Sequence, residues 1–178
     1  MPNRDDVLAQ LNATMSDVER FYSDLDEPDL LRPITESAVE GEQDWSAKDH
    51  LAHLVQVEST FRAVVERALA GDPDPADMGE VKSAQEAIAR QNHINAQTVV
   101  EGRAASREHL VSALREERGR TLELIDSCSD EQMAAPVPRA PWGDGSVAGV
   151  LATVAGHHGR HLLQVQGGLD SHRADQER

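Results

Sequence analysis

Three of the eight histidines in this chain crowd into Gly156-His157-His158-Gly159-Arg160-His161, inside an apolar stretch that opens near Val147. His157 and His161 stand four residues apart. On a helix that spacing puts both imidazoles on one face, about 5–6 Å apart at Cβ, and two neutral imidazoles so placed can grip one metal ion. A divalent ion of the zinc, nickel or iron kind takes at least three protein ligands, so another element must supply a third. The glutamate base of a His-Glu-x-x-His protease is absent, because the residue after His157 is His158.

The elements that must position these side chains read as helices. Val7, Leu8, Leu11, Met15, Val18, Phe21, Tyr22 and Leu25 recur at three and four, the period of a helical face, and Pro28 closes that first segment. A connection of about 18 residues is expected next. Ser46 then caps a second helix with Asp49 in the return position, carrying Leu54, Val57, Phe61, Val64, Val65 and Ala68 to about Ala70. Val81 to Val100 is a weakly amphipathic extra helix lying across the bundle or bridging into the next helix. Leu110, Val111, Leu114, Thr121, Leu122 and Ile125 outline another long helix over Ala104–Cys128. After Pro136, Pro138 and Pro141, Ser146 caps the last long helix, expected to stop near Gly167-Gly168. The resulting expectation is an all-α four-helix bundle with an extra short helix inserted between helices 2 and 3, forming a single domain over residues 1–170 with a polar tail at 171–178.

Composition supports helices: aromatics make up only 3% of 178 residues, so the core must be aliphatic. The net charge of −15 sets 32 acidic against 17 basic residues, with no basic run. On that balance neither nucleic acid nor a membrane surface is expected as a partner. A lone cysteine, Cys128, forms no intrachain disulfide and reads as a packing residue, which with the absence of a leader-like N-terminus leads to a cytoplasmic expectation. His93, His109 and His172 read as surface residues, and Trp45 and Trp142 as packing beside the site.

In such a bundle the histidine candidates come from the second and the last helices, and on the second His50 and His53 both fall in the first two turns. Counting about 100° per residue puts His50 near the centre of the apolar stripe and His53 toward its edge. On the last helix the same count centres His161 and flanks it with His157 and His158. Periodicity alone leans to His50.

The segment Trp45-Ser46-Ala47-Lys48-Asp49-His50-Leu51-Ala52-His53-Leu54 resembles the first motif of the DinB/YfiT-like superfamily, in which the ligand histidine stands eight residues after the tryptophan. That position is His53. His157, His161 and Gln164 resemble its second motif, and Pro141-Trp142-Gly143 its lead-in. The likeness spans essentially the whole chain, although Gly71 to Gly102 is longer and less recognisable than the family pattern. The resemblance implies a four-helix bundle with a three-histidine metal site at His53, His157 and His161, with His50, His158 and Gln164 as outer partners or alternative ligands. It also implies a divalent metal, zinc or nickel foremost, and a thiol-dependent S-transferase, isomerase or hydrolase acting on a small molecule. With no cysteine at the motif, a thiol would be a cosubstrate such as mycothiol, bacillithiol or glutathione. The contrasting expectation is a non-catalytic bundle that binds or sequesters a small molecule, its metal structural or absent. A homodimer is compatible with both.

Overall fold

The computed structural model describes residues 2–77, 79 and 83–176. Helix α1 (Arg4–Asp24) starts where the Asn3 side chain accepts the Asp6 backbone N–H at 2.8 Å, and buries Val7, Leu11, Met15, Val18 and Tyr22 on one face. The connection after it is less irregular than the sequence suggests. Asp26 caps a short helix α2 (Glu27–Leu31) with Pro28 in its first turn, where a missing N–H costs nothing. Strand β1 (Pro33–Thr35) then pairs antiparallel with β2 (Trp45–Ser46), setting Thr35 opposite Trp45.

Helix α3 (Ala47–Leu69) has the capping box read from Ser46 and Asp49, with both bonds made. Helix α4 (Ala84–Gly102) is the extra helix, and it lies along α3; its expected start at Val81 is outside the described residues. Its C-terminal end is locked down. Gly102 sits where an added Cβ would stand 2.4 Å from the Ala52 Cβ, so only glycine permits that approach. Beside it, Arg103 donates to both carboxylate oxygens of Asp49, at 3.0 and 3.3 Å, and Lys48 donates to the Arg103 carbonyl at 2.8 Å.

Helix α5 (Arg107–Ser127) is followed by α6 (Asp130–Ala134), a single turn held by a Ser129/Gln132 capping box that the sequence reading missed. Helix α7 (Val147–Gln176) begins with the Ser146 hydroxyl accepting the Gly149 N–H at 3.0 Å. It runs on through Gly167-Gly168, past the end expected from those glycines. Tertiary contacts override the local signal here. A Cβ on Gly168 would come within 2.9 Å of Ile34 in β1, Leu169 is buried beyond it, and Arg173 reaches Asp29 at 2.7 Å.

The bundle is built from α1, α3, α5 and α7, with α1 and α3 each packed between α5 and α7. Its core falls into two halves. Leu11, Val65, Ile125, Val150, Leu151 and Val154 fill one; Tyr22, Leu51, Leu54, Leu114 and Val165 fill the other. Polar side chains from three helices, two of them an ion pair, occupy the level between them. Arg118 of α5 donates to both oxygens of Glu58 on α3, at 2.9 Å each, to the Leu11 carbonyl of α1, and approaches Nδ1 of His158 on α7 at 3.2 Å. Glu58, Arg118 and His158 are all fully buried. Among the described residues no helix is long and apolar enough to cross a membrane.

Candidate metal centre

The capping box at Ser46 sets the first turn of α3, and with it both His50 and His53 face α7. The structure brings His53 together with His157 and His161. Ring centroids lie 5.1 Å apart for His53–His157, 4.8 Å for His53–His161 and 4.4 Å for His157–His161, and one nitrogen of each lies within 4.8 Å of the others. A tetrahedral ion with bonds of about 2.0–2.1 Å spaces its nitrogens about 3.4 Å apart, so small ring rotations close this cluster on one ion.

The hydrogen bonds fit that use. Among the described residues, Nδ1 of His53 and Nδ1 of His157 are buried without a hydrogen-bond partner. Two buried imidazole nitrogens left without partners on neighbouring rings cost stability unless something satisfies them, and a cation can do so. His161 differs, because its Nδ1 lies 2.8 Å from Nδ1 of His50, whose Nε2 lies 3.1 Å from the Thr35 hydroxyl. A His161 that keeps the Nε2 lone pair free carries its proton on Nδ1 and donates it to His50. His50 in turn donates from Nε2 to Thr35. The relay fixes one tautomer at each ring, the usual arrangement behind a metal-ligating histidine.

His50 therefore stands behind His161, and the stripe count that favoured it failed because both α3 histidines are buried. The count also misplaced α7: His158, not His161, is the deepest of the three and turns into the Glu58–Arg118 layer. Gln164 lies exposed farther along α7, with no hydrogen bond to the cluster among the described residues. His93 and His109 are exposed, whereas His172 is half-buried and takes a 2.7 Å bond from Arg32. The thiol of Cys128 is buried and pushed up by that burial, which suits packing rather than nucleophilic attack.

Electrostatics keep the cluster neutral. Burial, with the positive charge of neighbouring imidazoles, lowers His50, His53 and His157 to about 3. Burial, then the Arg160 guanidinium, lowers His161 to about 4. His158 is held well below its usual range by burial, then by Arg118. Neutral imidazoles are the form that binds a metal. Trp45 packs its ring against His50 and His53, with centroids at 5.3 Å from each.

Above His53 and His157 opens a cavity of about 480 Å³. Phe61 and Val64 of α3, Ile88 and Ile94 of α4, and Trp142 form much of its wall, with Phe61 and Trp142 in ring contact at 4.7 Å. Gly143 and Gly149 press Trp142's turn onto the start of α7, since a Cβ on either would collide with the other segment. Arg160 also lines the cavity.

Sequence reasoning missed Thr35, Glu58, Arg118 and Arg160. The readable signal for Glu58 and Arg118 was an acid and a base standing at stripe positions among Leu54, Phe61, Leu114 and Thr121, where a buried charge requires an opposite one.

These features define a class: an all-α bundle with a three-histidine cluster, contributed by two facing helices, at the floor of an apolar cavity. The chain belongs to the DinB superfamily, whose profile matches residues 39–165. No curated protein matches the sequence. Among solved structures, the colibactin self-resistance protein ClbS in complex with a double-stranded DNA superposes with a TM-score of 0.72 at 13% identity, covering 94% of this chain and 96% of that one. An uncharacterised protein from Escherichia coli UTI89 gives 0.68 at 11% identity, covering 96% and 95%. At such identities the likeness is one of fold. The ClbS complex overturns the exclusion of nucleic acid drawn from net charge, because the same fold is found on a duplex. Net charge sums over the whole surface, whereas contact with phosphates is decided by one face.

Proposed function

We propose that this protein captures a small, largely apolar molecule in the cavity above His53, His157 and His161, in a sequestering or protective role, with those histidines holding a divalent metal. The observation that carries this reading is the cavity itself, apolar-walled and floored by two of the three clustered imidazoles. A fold relative named for self-resistance supports the protective role. The donor set, three neutral imidazoles, suits zinc or nickel. An ion held there would supply a Lewis-acidic position open to the cavity. His50 and Thr35 orient His161, Trp45 packs against two of the rings, and Phe61 and Trp142 exclude water from the ligand's body.

The same openness favours a second reading, a metal-dependent transferase or hydrolase, with a low-molecular-weight thiol as cosubstrate in the transferase case. Duplex DNA enters as a partner on the strength of the ClbS complex. Elemental analysis of the purified protein, followed by fluorescence titration with an uncharged naphthalene probe before and after chelation, tests the main reading. One metal per chain and probe binding that persists without turnover support it. A metal-free protein that does not bind the probe refutes it; probe consumption moves the assignment to the enzyme, and a gel shift with duplex DNA tests that partner separately.

A further inference from the structure

The acidic balance of this chain leaves its basic side chains well supplied with partners. Among the described residues every arginine except Arg160, and Lys48 as well, bonds to a carboxylate or a backbone carbonyl. Arg90, the other guanidinium at the cavity, is tied to Asp77 through its carbonyl at 3.2 Å and its carboxylate at 3.5 Å. Arg160 has no such bond, lines the cavity beside His157, and is close enough to oppose protonation of both His157 and His161. An exposed guanidinium on the cavity lining, with no carboxylate or carbonyl partner among the described residues, is available to pair with an anion.

Resting on the cavity-binding reading above, we infer that Arg160 is an anion-binding residue, and that the molecule this cavity takes carries a carboxylate on an apolar body. The carboxylate meets the Arg160 fork in two parallel hydrogen bonds. The body lies along Phe61, Trp142, Ile88 and Ile94, and its near end faces the His53–His157 floor. The planar fork fits a carboxylate and gives an uncharged amide no comparable pair of charge-assisted bonds.

The experiment compares 2-naphthoate with 2-naphthamide, of the same size and shape, by fluorescence titration against the wild-type protein, Arg160→Gln and Arg160→Lys. Wild type should bind the acid at least about tenfold more tightly than the amide, the contribution of a charge-assisted pair. Arg160→Gln should lose that preference with amide affinity unchanged, and Arg160→Lys should keep part of it. Arg160 is exposed and makes no bond that folding needs, so the variants retain the wild-type fold. Equal affinity of wild type for acid and amide overturns the inference while leaving the cavity reading standing. An acid preference that survives in Arg160→Gln assigns the carboxylate to the metal and overturns it too. Failure of both probes to bind overturns the inference and the cavity reading together.

Discussion

Acid should destabilise this fold well before its carboxylates titrate, and the size of the effect follows from the site. In the unfolded chain each imidazole has a pKa of about 6.5. In the folded, metal-free protein His50, His53 and His157 are lowered to about 3 and His161 to about 4, chiefly by burial. Well above pH 6.5 both states are neutral at these positions and nothing is lost. Below it the unfolded state takes up protons that the folded state refuses, so stability falls as pH drops, down to about pH 4–3 where the folded rings protonate. At pH 5.5 each of these rings costs on the order of 1 kcal/mol, and with the buried His158, which is also held well below its usual range, the total is several kcal/mol. A domain has only about 5–15 kcal/mol to lose. Urea unfolding of chelator-treated protein, followed by far-UV circular dichroism at pH 7.5, 6.5 and 5.5, measures it directly. A His50→Gln variant should show a shallower dependence, by one proton. A change below about 1 kcal/mol between pH 7.5 and 5.5 would refute the reasoning that these rings are folded neutral into the site.

His161→Ala should abolish stoichiometric metal binding with helicity retained, by elemental analysis and circular dichroism; wild-type metal content in that variant would end the three-histidine proposal. His53→Ala should match it, whereas His50→Ala, which removes only the bond behind His161, should weaken metal affinity by about 10–100-fold. The reverse ranking would make His50 the ligand. Arg118→Met leaves the Glu58 carboxylate buried without its partner and should cost about 3–5 kcal/mol in urea unfolding; a loss under 1 kcal/mol would show that the charge layer is not needed. Gly102→Ala forces a methyl group into Ala52 and should cost about 1–3 kcal/mol, with faster amide exchange across α4, which forms one wall of the cavity; unchanged exchange would show that α4 is not docked through that contact.

The helices were legible because their signals are local. Ser46 with Asp49, and Ser146 before Val147, cap within one turn, and the apolar spacing of α1, α3 and α5 depends only on the 3.6-residue period. The His157/His161 pair was legible for the same reason, since spacing of four suffices to place two rings on one face. Periodicity did not pick the partner ring, leaning to His50 where the family resemblance pointed to His53, because His50 and His53 occupy neighbouring turns and only the rotation of α3 against α7 decides which imidazole meets the pair and which bonds behind it. Glu58 and Arg118 stand 60 positions apart, and no local rule joins them; the bundle does, by closing four helices around one level. Helix α7 continues through Gly167-Gly168 because β1 packs on it there, a contact between segments more than a hundred residues apart. Composition determined the aliphatic, helical character of the chain, which depends on every residue. It did not determine what the surface can meet, because a summed charge carries no positions, and positions are what folding supplies.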